Sequence, residues 1–401
     1  MNPVKQLWCR AFQTVLRLSV PLLPYRRPEL VDGVAALPAI LKGHGCTRVL
    51  LVTGPNVTRR GLTRPLLDAL EAAGIGCAVY DKTPPNPTVS AVEEGAALYR
   101  AQGCQAILGF GGGSNLDCAK AVGVRIALPD KPLSQCAGIL KVRRPLPLLI
   151  AIPTTAGSGS ETTIAAVITD RSSRHKYAIS DFPLIPRYAV LDPAATVSLP
   201  PFLTAATGMD ALTHAVEAYI GRSTTKDTRE AALTATRLIF ANLDRAFADG
   251  SDLEARRNLL EASFLAGCAF TKSYVGYVHA IAHALGGAYD VPHGQANAVI
   301  LPLVLERYGP AAHRKLAELA QAAGIAPPET PAPEAAASFI QAIRAMNARF
   351  GIGATIPELR RADVPALARH ADKEANPLYP VPLLLDADEL APLFERLLDE
   401  A

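Results

Sequence analysis

Strand-type and helix-type apolar patterns alternate through the first half of the chain. An apolar run from Arg48 to Thr53 ends at Gly54-Pro55-Asn56, which predicts a strand followed by a turn. Apolar residues at helical spacing follow from Leu66 to Ala73, and Gly76–Tyr80 is typical of the next strand. A strand, a helix and a second strand at this spacing predict a parallel α/β sheet.

The same alternation continues to about residue 200 and then stops. A helical pattern runs from Ala91 to Gln102, and buried-strand patterns run from Gln105 to Phe110 and from Leu146 to Ile152. Beyond Pro200-Pro201 the chain is mainly Ala- and Leu-rich helical pattern. We therefore predict an N-terminal amphipathic helical extension over residues 1–24, an α/β domain over 25–200 and an all-helical domain over 201–401.

The N-terminal extension has the pattern of one amphipathic helix, from about Pro3 to Ser19. Its longest uncharged run, from Leu18 to Tyr25, is too short to span a bilayer, and no clear cleavage site follows. The expectation is a helix that packs on its own protein, with loose association with a membrane surface as the alternative. No membrane span is predicted.

Composition narrows the class of protein. With 401 residues, 49% of them hydrophobic and 19% charged, the chain is long and apolar enough for two globular domains. The 40 basic and 37 acidic residues nearly balance, which excludes nucleic acid as the main partner. The seven cysteines are scattered without a CxxC pair, which is typical of reduced thiols in a cytoplasmic protein.

A glycine-rich loop follows the strand that ends at Phe110. Gly111 to Ser114 precede the helical pattern that opens at Asn115, and backbone N–H groups at such a helix start can approach a phosphate. The loop lacks the GxGxxG pattern, so a simple tight turn is the alternative. The small and hydroxyl residues from Pro153 to Glu161 suit contacts with a nucleotide, or else form a flexible loop.

Metal-ligand residue types are concentrated between residues 208 and 293. Asp210 and His214 are four residues apart on a predicted helix, as are His279 and His283, so each pair leaves one helix face together. Gly286, Gly287 and Pro292 are expected to end the second helix and to leave His293 on a loop. Such ligands suit Zn, Fe or Mn; the alternative is that each histidine is a satisfied core residue.

Together these motifs resemble the iron-containing alcohol dehydrogenase family along nearly the whole chain. The segments that carry the resemblance are Pro84 to Thr88, the GGGSxxDxAK pattern from Gly111 to Lys120, Pro153 to Glu161, Gly208 to Tyr219, and His279 to His293. The resemblance implies an N-terminal dinucleotide-binding α/β domain, a C-terminal all-helical metal-binding domain and an active site in the cleft between them.

The resemblance also implies roles for individual residues. The metal ligands would be Asp210, His214, His279 and His293. The cofactor site would include Gly54, Asn86, Gly112, Gly113, Ser114, Asp117, Thr154, Thr155 and Lys176. His283 would lie beside the substrate and the nicotinamide, either as a proton relay or as a residue that only orients its neighbours. Phe270 would form an apolar wall near the substrate, and Lys272 would contact a polar substrate group or lie at the surface.

The sequence does not decide between NAD and NADP as the cofactor, or between Fe(II) and Zn as the metal. Gly54 stands where many NAD-preferring members of the family have an acidic residue, and Arg59 and Arg60 follow it, so both NAD and NADP are permitted. The family implies Fe(II), whereas the general affinity order favours Zn.

The expected reaction is metal-dependent hydride transfer between NAD(P) and a primary alcohol or diol, or the corresponding aldehyde, in a homodimer. The alternatives are a glycerol dehydrogenase-like or dehydroquinate synthase-like member of the superfamily, or a non-enzymatic protein that binds metal and nucleotide.

Overall fold

The computed structural model describes residues 1–171 and 175–399, which divide into two compact units. One unit runs from Pro24 to Leu199, and the other joins Met1–Leu23 to the chain from Pro200 onwards. The first unit is built on a parallel sheet and the second consists of helices among the described residues. We call them the sheet unit and the helical unit.

The sheet unit contains a six-stranded parallel sheet with the order β1-β9-β6-β4-β2-β3. Its strands are β1 (Glu29–Val31), β2 (Arg48–Val52), β3 (Gly76–Tyr80), β4 (Ala106–Gly111), β6 (Leu148–Pro153) and β9 (Tyr188–Val190). A second sheet has the order β5-β8-β7, formed by β5 (Gly138–Ile139), β7 (Ala165–Asp170) and β8 (His175–Ser180). The predicted parallel α/β sheet is confirmed.

The central strands of this sheet are apolar on both faces, which is why their sequences are continuous runs. Leu50, Ile107 and Leu149 are in register on β2, β4 and β6 and belong to one buried cluster. The residues that follow them, such as Leu51 and Leu108, belong to a second cluster. Because successive side chains point to opposite faces, helices must cover both sides of the sheet.

Among the described residues of the sheet unit, five helices lie between its strands in sequence, and α6 begins directly after β4. They are α2 (Leu37–Gly43), α3 (Pro55–Arg59), α4 (Arg64–Ala72), α5 (Val89–Ala101) and α6 (Gly113–Ala127). The chain leaves β2 for β3 on one side and then returns to place β4 on the other side of β2. Ligands of parallel α/β sheets bind at such a switch point, beside the carboxyl ends of the strands.

The helical unit is organised around α7, whose residues from Gly208 to Ile220 are all buried. Its helices are α1 (Pro3–Ser19), α7 (Pro201–Ile220), α8 (Lys226–Ala248), α9 (Leu253–Ser273), α10 (Tyr277–Tyr289), α11 (His293–Tyr308), α12 (His313–Ala322), α13 (Ala332–Arg349), α14 (Val364–Ala375) and α15 (Ala387–Glu395). A side chain at Gly208 would place its Cβ 2.4 Å from Leu243 Cδ1, so this glycine lets α7 and α8 pack closely.

Most predicted elements agree with the structure within a few residues, but the region around His293 differs. Gly286 and Gly287 lie inside α10, which ends at Tyr289 with Asp290 in a left-handed conformation. The prediction that His293 lies on a loop is wrong, because Pro292 caps α11 and His293 is the first helical residue. A proline immediately before a helix supplies a fixed backbone angle, which favours a helix start there.

The N-terminal helix α1 packs against the end of the helical unit. Lys5 Nζ lies 2.7 Å from Asp372 Oδ2, and the Arg10 guanidinium donates to the carbonyl oxygens of Val381 and Pro382. The N-terminal ammonium of Met1 lies 2.9 Å from Asp386 Oδ2. These contacts fix the orientation of α1. Among the described residues, no helix is both long enough and apolar enough to cross a bilayer.

Candidate metal centre and nucleotide loop

Three helices of the helical unit bring the four predicted metal ligands together. Helix α7 supplies Asp210 and His214, α10 supplies His279, and α11 begins with His293. One ligand atom from each of the four residues lies within 4.8 Å of the others. Asp210, His214 and His279 are buried, whereas the His293 side chain is 42% exposed. The cluster therefore has an open side at His293.

A close approach of α11 to α7 makes this convergence possible. A Cβ on Gly294 would lie 2.5 Å from the carbonyl oxygen of Ala206, so a larger residue would push the start of α11 away. His293 is the neighbour of Gly294 and lies with its Nε2 3.6 Å from Asp210 Oδ1. The glycine thus sets the position of one ligand.

Glu217, which the sequence analysis did not identify as functional, positions His279 by a hydrogen bond to its Nδ1. Its Oε2 lies 2.6 Å from His279 Nδ1, and its Oε1 accepts a hydrogen bond from the N–H of Val278 at 2.8 Å. The carboxylate fixes the tautomer with the proton on Nδ1, which leaves Nε2 as the ligand atom. A Cβ on Gly276 would lie 2.7 Å from Glu217 Oε1, so the backbone there is fitted to the carboxylate.

Burial controls protonation in this pair. Burial raises the pKa of Glu217 to about 7, although backbone N–H groups donate to it and oppose the shift. Burial and the neighbouring imidazoles lower the pKa of His279 well below its usual range. His279 is therefore neutral, which is the form that ligates a metal.

Asn297 is a second residue that the sequence analysis missed. Its Nδ2 lies 2.7 Å from Asp210 Oδ1, 3.3 Å from His279 Nε2 and 3.2 Å from His293 Nε2. The amide therefore contacts three of the four ligand atoms. Its position four residues after His293, on the same helix face, was the available sequence signal.

His283 lies beside the cluster, next to His293, and is held by a carboxylate. His283 is 44% exposed, its ring stacks on that of His293 at a centroid distance of 5.3 Å, and its Nδ1 lies 2.7 Å from Glu374 Oε1. Tyr379 donates to the same carboxylate oxygen. Burial alone would raise the pKa of Glu374, but the hydrogen bond and charge of His283 outweigh it and the pKa is lowered.

Phe270 lies on α9 and stacks on His214, with ring centroids 4.2 Å apart and an interplanar angle of 15°. It is an apolar side chain directly beside a predicted ligand. Lys272, two residues further along, pairs with the carboxylate of Asp227. That ion pair accounts for the lysine without a substrate.

In the sheet unit, the predicted glycine loop lies at the switch point between β2 and β4. Gly112 is the N-cap of α6, and Gly113 and Ser114 form its first turn, where backbone N–H groups have no acceptor within the helix. Gly111 has a φ of +144°, and a Cβ there would lie 1.8 Å from Asn115 Nδ2. Gly54 follows β2 at the same edge, and a Cβ on it would lie 2.9 Å from Asn115 Oδ1.

The other predicted cofactor residues hold parts of this loop region. Lys176 Nζ donates to Asn86 Oδ1 at 3.1 Å, and Ser114 Oγ donates to the carbonyl oxygen of Pro85. The N–H of Thr154 donates to the carbonyl oxygen of Gly111 at 3.0 Å. The Thr155 side chain lies 3.6 Å from the position that a Cβ on Gly112 would take. The structure thus brings the carboxyl end of β6 beside the glycine loop.

Asp117 is buried below the loop and ties two segments together. Its carboxylate accepts from Ser160 Oγ at 2.7 Å and from the N–H of Val167 at 3.0 Å. Burial raises its pKa, although the charge of Lys120 opposes the shift. Lys120 is also buried and donates to the carbonyl oxygens of Thr163 and Ala165. These side chains organise the loop from residue 154 to 163 around α6.

Two features are together typical of metal-dependent dehydrogenases. One is a parallel sheet with a glycine loop at its switch point, and the other is a set of helices that gather three imidazoles and a carboxylate. Family models bear this out: the iron-containing alcohol dehydrogenase model matches residues 31–193, and the C-terminal model of the Fe-containing alcohol dehydrogenase family matches residues 204–398. The chain belongs to the iron-containing alcohol dehydrogenase family, and it is an enzyme.

Individual relatives agree with this assignment. The chain is 40% identical over 382 residues to 1,3-propanediol dehydrogenase of Klebsiella pneumoniae, which covers 94% of this chain and 97% of the relative. It is 36% identical over 349 residues to NAD-dependent methanol dehydrogenase of Bacillus methanolicus, covering 86% and 91%. The crystal structure of a 1,3-propanediol oxidoreductase matches with a TM-score of 0.88 and 36% identity, covering 93% of this chain and 98% of that one.

Proposed function

We propose that this enzyme interconverts small primary alcohols or diols and their aldehydes with NAD or NADP, using a divalent metal held by Asp210, His214, His279 and His293. The observation that carries the proposal is the convergence of these four ligand atoms within 4.8 Å. The donor set fits a cation, because His279 is kept neutral and the carboxylate supplies one negative charge. Ferrous iron is proposed from the family and zinc is the alternative.

When bound, the cation supplies Lewis-acid polarisation of an alcohol or carbonyl oxygen. The chain's own residues support that chemistry by position. Glu217 keeps His279 in the ligating tautomer, and Phe270 shields His214 with an apolar ring. The exposed edge at His293 gives a substrate access to the cluster.

His283 is our candidate for moving a proton. Its Nδ1 is engaged by the Glu374 carboxylate at 2.7 Å, so Nε2 is the atom that can exchange a proton with substrate or water. An imidazole titrates near neutral pH, which suits a group that must take up and release protons in both directions of the reaction. Glu374 then acts as a positioning residue through His283.

The nucleotide is proposed to bind at the glycine loop of the sheet unit and to supply or accept hydride. Gly112, Gly113 and Ser114 would present their N–H groups to the pyrophosphate, and Gly54, Asn86, Thr154, Thr155 and Lys176 would line the rest. Asp117 is buried and would position the loop. The relative from Bacillus methanolicus is NAD-dependent. In this chain Gly54 has no negative charge that would repel the 2′-phosphate of NADP, so NADP is also permitted.

Two further properties are proposed. A homodimer follows from the family resemblance. A cytoplasmic location is proposed from the seven scattered cysteines, which form no disulfide in the described part of the chain.

The test is reconstitution of the metal-depleted full chain, under anaerobic conditions, with Fe(II), Zn(II) or Mn(II). Reduced-nicotinamide absorbance is followed with NAD and NADP against 1,3-propanediol, methanol and other small primary alcohols. We expect metal-dependent turnover that His279→Ala abolishes and His313→Ala retains, since His313 begins α12 and lies outside the cluster. Turnover that is equal in the metal-depleted and reconstituted protein would refute the proposal.

A further inference from the structure

The first 22 residues carry an apolar stripe that faces away from the chain's own core. Of the fourteen large apolar side chains that are exposed in the described part of the chain, six lie here: Val4 (76% exposed), Leu7 (73%), Trp8 (61%), Val15 (68%), Leu18 (71%) and Leu22 (84%). Ala11 is exposed between them. We call these seven residues the α1 stripe. Such a concentration on one helix and the turn that follows it marks a surface that another molecule covers.

The opposite face of α1 is already anchored. Cys9, Gln13 and Val20 are buried, and Gln13 donates to the carbonyl oxygen of Tyr379 at 2.7 Å. Lys5 is paired with Asp372, as described above. Because these contacts hold the helix by its polar side, the stripe cannot turn inward without breaking them.

The spacing of the stripe indicates what kind of surface covers it. Val4, Trp8, Ala11, Val15 and Leu18 follow one another on α1 at intervals of four, three, four and three residues, and Leu22 continues the spacing in the short 3₁₀ turn that follows α1. This spacing places a narrow apolar stripe along one side of the helix, which is the geometry of a helix that packs along a second helix. The occupant is therefore best described as another helix.

We propose that the α1 stripe pairs with the α1 stripe of a second copy of this chain. Identical surfaces can pair across a two-fold axis only when they do not repel one another. The positions that flank the six evenly spaced residues meet this condition, because five are uncharged, the stripe residue Leu7 among them, and the sixth, a lysine, is neutralised within its own chain: Leu7, Phe12, Thr14, Ser19, Pro21 and Lys5.

The exposed apolar area of the stripe can supply the centre of an interface between two copies. Six large side chains at about 60–120 Å² each give on the order of 500 Å² of apolar surface per copy. A standard interface buries about 800 Å² per partner, so the stripe would form its centre and the flanking polar residues its rim.

A lipid surface fits the same stripe less well. Helices that bind anionic membranes carry cations beside the apolar face. Of the three cations of α1, Lys5 is paired with Asp372 and Arg10 donates to two backbone carbonyls, which leaves Arg17. The electrostatic contribution to membrane binding is correspondingly small.

The test compares the full chain with two double variants by sedimentation velocity over a wide range of protein concentration. Val15→Glu with Leu18→Glu places two negative charges in the stripe. Gln6→Glu with Arg17→Gln makes the same change in net charge at exposed positions outside the stripe. We expect the wild type and the control to have twice the mass of the stripe variant at high concentration. Equal masses for all three proteins would overturn the proposal.

Trp8 provides a second readout, because it is the single tryptophan of the chain and belongs to the stripe. We expect its emission to shift to longer wavelength when the wild type is diluted, and to stay at long wavelength at every concentration in the stripe variant. Circular dichroism checks that the helix is retained. The milder variant Val15→Ala with Leu18→Ala should raise the dissociation constant about tenfold or more, since it only reduces apolar contact. Emission that changes only when vesicles of anionic phospholipid are added, at an unchanged mass, would instead assign the stripe to a membrane surface and refute self-pairing.

Discussion

Replacing Glu217 by glutamine tests whether the helical unit is built to hold a metal. The carboxylate is buried and accepts hydrogen bonds that include those from His279 Nδ1 at 2.6 Å and from the N–H of Val278 at 2.8 Å. A glutamine has the same shape but only one acceptor oxygen. In one orientation its NH₂ group faces the Val278 N–H, and in the other it faces Nδ1 and forces the proton onto Nε2.

Each orientation of the glutamine amide has a free-energy cost, either in stability or in metal binding. An unsatisfied buried donor costs about 1–3 kcal/mol, which should appear as lower stability of the metal-free protein. Loss of such a supporting hydrogen bond weakens metal binding roughly 10- to 100-fold. At about 1.4 kcal/mol per tenfold change, this is close to 1.4–2.8 kcal/mol of binding free energy.

The assay is competition between the protein and a chelator for Zn(II) or Co(II), with thermal unfolding of the metal-free protein measured in parallel. Glu318→Gln is the matched control, because Glu318 accepts from the hydroxyl of Tyr219, which lies on α7 like Glu217, but does not contact a ligand. We expect the control to retain metal affinity. A Glu217→Gln protein with affinity within twofold of the wild type would refute the assignment of Glu217 as the support of His279.

Particular contacts lead to three more expected outcomes. Burial raises the pKa of Glu161 to about 7, so between roughly pH 4.5 and 7 the folded protein binds more protons than the unfolded chain and its stability falls as pH rises. Glu161→Gln should remove up to about 3 kcal/mol of this change in the free energy of unfolding over that pH range. An unchanged slope would contradict the burial argument. Gly294→Ala should destabilise the helical unit by about 1–3 kcal/mol and weaken metal binding, whereas Gly287→Ala, with open space around it, should be neutral or stabilising in denaturant unfolding; equal effects would refute the close-approach argument. His283→Ala should lower kcat about 100-fold at neutral pH without changing metal stoichiometry, and a wild-type kcat in this variant would exclude the relay. Glu374→Gln should change the pH dependence of kcat while changing KM less, because Glu374 acts through His283.

The sheet was predictable because its local signals agree with one another. The runs Arg48–Val52 and Gly76–Tyr80 match the structure within a residue. The first is recognisable because a strand buried on both faces is a continuous apolar run bounded by turns. The second lies at the edge of the sheet and is mostly partly buried, but its flanking turn residues still mark its bounds. The glycine loop was also placed correctly at the end of a strand and the start of a helix. The order of the strands, by contrast, depends on crossovers that no local pattern specifies.

The cluster of candidate metal ligands was predicted by residue type, whereas its supports were not. Pairs of candidate ligands such as Asp210 and His214 are recognisable by their helical spacing. Glu217 and Glu374 are single acidic residues whose partners lie 62 and 91 positions away, so only the packing of helices reveals them. The wrong loop assignment for His293 has the same origin, because two glycines within α10 were taken as its end and Tyr289 ends it instead.

The first and last segments of the chain meet in the helical unit, so the sheet unit is an insertion between residues 23 and 200. Its own strands and helices are contiguous in sequence and can fold as soon as they leave the ribosome. Helix α1 cannot be completed then, because its partner Asp372 is 367 residues further along the chain. At about 5–20 residues per second, α1 waits roughly 20–70 seconds for that partner.

During this interval, both faces of α1 are without their final contacts, including the apolar side chains from Val4 to Leu22. The nascent chain therefore exposes an amphipathic segment that is prone to aggregate early in synthesis, which is when a chaperone would be needed.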